Sequence, residues 1–196
     1  MAMLLKYVAA AGVGAFVETK YGPAVQPTGP SGTSPLFAAT PLILIGVGFY
    51  SLALGFEVGK GRKKYMDLAK EDGEENVEDR YGLPNLYAQG TSKHAKAFNA
   101  LQRSHQHIFE NLTSVSIFGL AGALEFPICT ALSTLGYAIG RVIFSNNYSK
   151  SEGDVAQRYS KNKMATWMWQ GLLTNMFLGL FSCVKILSST RLIKRN

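Results

Sequence analysis

Cysteine and charge are both scarce in this chain of 196 residues. Its two cysteines, Cys129 and Cys183, fall inside apolar blocks, at a spacing that suits neither a disulfide framework nor a thiolate metal site. They read as small buried hydrophobes. Charged residues make up 17% of the chain, against about 25% in a typical globular domain. The shortage is local. Phe37–Phe56, Asn111–Leu124 and Met164–Val184 hold no charged residue, and Ile128–Phe144 holds one, Arg141. Nearly all the charge lies between these blocks, a segregation that argues against a soluble helical domain. A cleavable signal pattern is also missing. Met1–Val17 is apolar and rich in small residues, carries Lys6 and Tyr7, and lacks a basic start and a cleavage site. It is expected to be an interfacial or re-entrant segment, or a surface docked on a partner.

What is present predicts an all-α integral membrane protein built as a four-transmembrane-helix bundle. The spans are expected at about 37–56, 105–124, 128–144 and 164–184. Glu125-Phe126-Pro127 would form a tight turn between the second and third spans, because proline stops one helix and suits the start of the next. Residues 1–36 form an N-terminal extension and a Pro/Gly linker, 37–187 the membrane domain, and 188–196 a basic tail. The first connection, Glu57 to His107, is long and holds nine basic residues; Ser145 to Lys163 adds four. The N-terminal region and the tail together hold six. The excess of Lys and Arg places the two connections in the cytosol or its equivalent. The N-terminal region and the tail would share the opposite side.

The cluster GKGRKKY, residues 59–65, directly follows a span. It reads as a topology signal in contact with anionic lipid headgroups, not as a nucleic-acid site. The acidic run EDGEENVED, residues 71–79, reads as solvated loop.

The stretch FNALQRSHQHIFENLTS runs from polar to apolar within one expected helix. Arg103, His107 and Glu110 stand at i, i+4 and i+7 and share a face, bordered by Gln106. Such a face at membrane depth serves a structural charge pair, a polar zwitterionic ligand such as a peptide, or a metal. The metal is disfavoured, because His105 and His107 point to different faces. Arg141, near the end of the third span, is placed to reach Glu110 from a neighbouring helix.

These residues resemble the membrane-associated eicosanoid and glutathione metabolism (MAPEG) family, in its microsomal glutathione S-transferase 3 branch. The likeness covers about Val58 to Leu187. It rests on VGKGRKKY (58–65), FNALQRSHQHIFE (98–110) and FPICTALSTLGYAIGRVIF (126–144), in that order. The resemblance implies a four-helix bundle, usually a trimer, with glutathione bound between subunits near the cytosolic end. It implies that Arg103, Gln106, Glu110, Arg141 and Tyr148 belong to the glutathione site. His107 takes the place of the family's helix-2 asparagine, and Arg158, with Lys161 nearby, that of the arginine that supports the thiolate.

The chain also departs from the pattern. Besides His107, Thr113 replaces an expected proline, Phe144 an expected tyrosine, and Asn147 the glycine before Tyr148. The departures cluster at the implied site. Two functions follow. The first is an accessory or structural subunit of a larger organelle membrane complex, mitochondrial by preference, with an eroded glutathione site and structural lipids. The alternative is a working glutathione transferase or peroxidase, a homotrimer of the endoplasmic reticulum, acting on lipophilic electrophiles or lipid hydroperoxides.

Overall fold

The computed structural model describes residues 2–22 and 34–189. The linker from residue 23 and most of the basic tail lie outside the described residues. The elements are α1 (Ala2–Tyr21), a 3-10 turn (Pro35–Ala38), α2 (Ala39–Glu71), α3 (Val77–Tyr81), α4 (Lys93–Ala123), α5 (Pro127–Ser149), α6 (Gln157–Ser160), a second 3-10 turn (Lys163–Thr166) and α7 (Trp167–Ser189). Every regular element among the described residues is helical.

Among the described residues, three helices are long and apolar enough to cross a membrane: Pro35–Glu71, Pro127–Ser149 and Lys163–Ser189. The chain is therefore an all-helical membrane protein. The expected second span lies within α4, which runs unbroken to Ala123. Lys93, Lys96, Arg103 and Glu110 occupy the first part of that helix and set it apart from the other three.

The helices exceed the expected spans. α2 continues fifteen residues beyond Phe56, through the basic cluster to Glu71. Lys and Arg are good helix formers and no proline interrupts the run. The tight turn lies where expected: α4 ends at Ala123 and Pro127 opens α5, where its missing N–H costs nothing.

The chain falls into two compact units. The first comprises Met1–Val47, Asn111–Ile139 and Trp167–Asn196. Its core gathers Ala11, Ala15, Phe126 and Leu178. α5 and α7 approach closely at Gly171, where a side chain would collide with the Ser133 carbonyl and with Tyr137. Ser133 donates to the Gly171 carbonyl at 3.0 Å, and Asn175 donates to Thr134 at 3.0 Å.

The second unit comprises Gly48–Glu110 and Gly140–Thr166. The end of α2, α3, the segment after it and the start of α4 share a core of Val58, Ala69, Val77, Tyr81, Ala88, Ala95 and Phe98. The acidic run expected to be solvated loop is mostly exposed, but Val77 and Tyr81 anchor it to this core, and three of its six carboxylates are paired. Glu74 pairs with Arg80 at 2.9 Å, Glu78 with Lys70 at 2.6 Å, and Asp72 with Lys93 at 2.7 Å. Within the basic cluster, Arg62 donates to the carbonyls of Tyr81 and Leu86 and lies 4.6 Å above the Phe98 ring. It pins this core, whereas Lys60 stays on the surface beside Glu57.

Candidate functional site

The polar face of α4 organises the second unit. Arg103 makes a two-pronged contact with Glu110, one prong at 3.1 Å, spanning two helical turns. Both side chains are more than a third exposed, so the pair stabilises by at most about 1 kcal/mol and is free to exchange partners. Gln106 accepts a hydrogen bond from the Tyr87 hydroxyl. One turn before Arg103, the Asn99 amide grips the backbone of Ala88 from both sides, accepting from its N–H at 2.7 Å and donating to its carbonyl at 2.9 Å. These bonds hold residues 82–92 against α4.

A cleft of about 280 Å³ opens beside this face. Tyr87, Lys96, Asn99 and Arg103 line one side, and Tyr148, Gly153 and Val155 the other. Gly153 has φ of 95°, and a Cβ there would come within 2.7 Å of Lys96 Cβ. Glycine is required both for the turn and for the approach. Arg158 places its guanidinium 5.9 Å from the Tyr148 ring and 5.3 Å from the Tyr159 ring. Its carbonyl accepts from Asn147 at 3.4 Å.

Arg141 and His107 lie in a different environment. Arg141 has no solvent exposure. It donates to His107 Nδ1, to Ser145 Oγ at 3.0 Å, and to the carbonyls of Ser104 and His107 at 3.4 Å each. A guanidinium cannot accept, so His107 is the acceptor and its imidazole carries no proton on Nδ1. Phe144 completes the cluster. Its ring is 4.6 Å from the Arg141 guanidinium, 4.9 Å from the His107 ring and 5.8 Å from Tyr148. His105 faces away from this cluster: its Nε2 would stand 3.2 Å from a Cβ at Gly55 on α2.

Of the residues singled out in the sequence, Arg103 and Tyr148 come together on the cleft. Gln106 supports it through Tyr87, Glu110 neutralises Arg103, and Arg158 stacks at Tyr148. His107 and Arg141 form a buried network of their own. Sequence reasoning missed Lys96, Asn99 and Tyr87. The signal for the first two was available, because they precede Arg103 by seven and four residues on the same helical face. Tyr87 had none, since it comes from the segment read as loop. Chemically, the cleft presents an ammonium, a guanidinium, a side-chain amide and phenol hydroxyls. It suits a polar ligand with carboxylates and amide groups.

The model of the MAPEG family matches residues 39–179. No curated protein and no solved structure matches the chain.

Proposed function

The chain belongs to the MAPEG family, and from that premise we propose that it is a glutathione-binding membrane protein of the microsomal glutathione S-transferase 3 type. Its bundle would contain four spans within residues 37–187, with α4 as the second. One observation carries the reading: Arg103 and Tyr148, assigned to the glutathione site by resemblance, share a cleft with Lys96 and Asn99. Arg103 and Lys96 match the two carboxylates of glutathione, and Glu110, released from Arg103, matches its ammonium. Tyr148 and Asn99 supply hydrogen bonds to the peptide groups. Glutathione, when bound, supplies a thiol. Arg158 is the chain's nearest candidate for stabilising the thiolate, since a neighbouring cation lowers a thiol's pKa. The acceptor would be a lipophilic electrophile or lipid hydroperoxide arriving from the bilayer, and the assembly a homotrimer of the endoplasmic reticulum.

The experiment is calorimetric titration of the purified protein with glutathione in detergent. Saturable binding is expected, weakened at least tenfold in Arg103→Ala, because a charge-assisted hydrogen bond contributes about 1.5–3 kcal/mol. Absence of binding, or equal binding by the variant, would sink the proposal.

A second reading is favoured by a separate observation. Phe144, at the position of an expected tyrosine hydroxyl, is enclosed by His107, Arg141 and Tyr148. A site closed in this way suits an accessory subunit of a larger complex in a mitochondrial membrane, with bound lipid in place of glutathione. Purification in mild detergent separates the two. A homotrimer supports the enzyme, and co-purification with unrelated chains at fixed stoichiometry supports the subunit.

A further inference from the structure

α1 lies outside the family match, and its packing indicates where it belongs. It has 20 residues, about 30 Å of helix and so about one hydrocarbon thickness. Its inner face is built into the first unit. Ala11 and Ala15 are buried with Phe126 and Leu178. A Cβ at Gly14 would stand 3.1 Å from Cys129 Sγ, and one at Gly12 would stand 3.9 Å from the Phe181 ring. Near the end of α1, the Glu18 carboxylate accepts the backbone N–H groups of Ile128 at 2.8 Å and Cys129 at 2.9 Å. These are free donors in the first turn of α5, where a carboxylate also complements the helix dipole.

The helix direction follows from the same contacts. Glu18 sits at the start of α5. Lys185, near the end of α7, pairs with Glu125 just before α5 at 2.8 Å. The C-terminal ends of α1 and α7 therefore lie together. Six residues before Glu18, Gly12 faces Phe181, which stands four residues before Lys185, so the two helices leave this shared end in the same direction. α1 and α7 run parallel.

The outer face identifies the surroundings. Leu5 is 61% exposed, Val13 64% and Phe16 60%. Leu132 on the candidate span α5 is 65% exposed, and Leu187 on α7 is 59%. The apolar outer face of α1 thus continues those of two helices that cross the membrane. The groove of about 350 Å³ between α1, α5 and α7, with Gly14, Leu132 and Leu178 in its walls, belongs to the same apolar surface. Such a surface is costly in water and neutral in hydrocarbon.

We propose that α1 is a further membrane-embedded helix whose outer face contacts lipid acyl chains. It enters the bilayer from the side on which α7 begins. Its N-terminal end then shares a side with the α5–α7 connection, not with the linker and tail as charge counting suggests. The glutathione reading does not enter this argument.

The test uses the full chain in sealed, uniformly oriented vesicles, with an epitope tag before Met1, after Lys161, or within residues 23–33. Added protease is expected to treat the first two tags alike and the third oppositely. An N-terminal tag that shares the fate of the linker tag overturns the proposal. A second measurement covers disturbance by the tags. Val13→Cys and Phe16→Cys, made in a Cys129→Ala, Cys183→Ala background, are expected to take up less than a tenth of the membrane-impermeant maleimide taken up by Lys161→Cys. This comparison uses vesicles opened so that both faces are reached. Labelling equal to that of Lys161→Cys would place α1 in water and overturn it.

Discussion

Among the described residues, Arg141 is the largest side chain without solvent exposure. A buried cation persists only where hydrogen bonds replace its hydration. Here Ser104, Ser145 and His107 do so. The sequence marks Arg141 as intramembrane charge and suggests Glu110 as its counterpart. Among its hydrogen bonds is one to His107, a residue read as a departure from the family pattern at the glutathione site. His107→Leu removes an acceptor from a buried guanidinium and is expected to destabilise the protein by about 2 kcal/mol. His107→Asn keeps an acceptor and is expected to cost less than half as much. Thermal unfolding in detergent distinguishes the two, with the midpoint of the asparagine variant closer to that of the parent.

A second residue-scale prediction concerns pH. Hydrogen bonds from Lys93 and then His94 hold the Asp72 carboxyl below its ordinary value. A carboxylate with a depressed folded pKa contributes its stability in full above the unfolded value of about 3.9 and loses it only as pH falls further. Residues 72–92 are expected to lose hydrogen-exchange protection on acidification below about pH 4. Asp72→Asn should flatten that dependence and lower protection at neutral pH. An unchanged acid profile in the variant would remove Asp72 from the account.

At the scale of elements, helix boundaries were legible wherever local chemistry sets them. Pro127 opens α5 as its sequence requires. The extension of α2 to Glu71 was less legible, because span length is read from hydropathy and hydropathy falls at Glu57 while helix propensity does not. The glycines divide by contact, which no sequence pattern reports. At Gly171 a side chain would strike the backbone of α5, whereas at Gly136 a Cβ meets nothing within 4 Å. Gly171→Leu is expected to separate α5 from α7 and to abolish the folded fraction in size-exclusion chromatography. Gly136→Ala is expected to leave the elution profile unchanged and to raise the thermal midpoint, since alanine is favoured over glycine in a helix by about 1 kcal/mol.

At the scale of the whole molecule, the family match and three candidate spans establish a MAPEG membrane protein. The proposed fourth span is α4, and its test is topological. With α4 crossing, tags in residues 72–92 and after Lys161 lie on one side of the bilayer and respond alike to protease in sealed vesicles. If α4 does not cross, they respond oppositely.

The sequence by itself determined the membrane class, the helical architecture, the family and the polar face of α4. These depend on composition, periodicity and short motifs, which are local properties of the chain. Only the tertiary structure decided which distant groups meet. It brought Arg141 to His107, set Tyr87 against Gln106 beside Lys96 at the cleft, and fastened α1 to α5 through Glu18. The reason is physical. A buried or partly buried charge takes whatever partner the neighbouring helix presents. That partner lies tens of residues away along the chain, at a rotation set by the packing of the helices against one another.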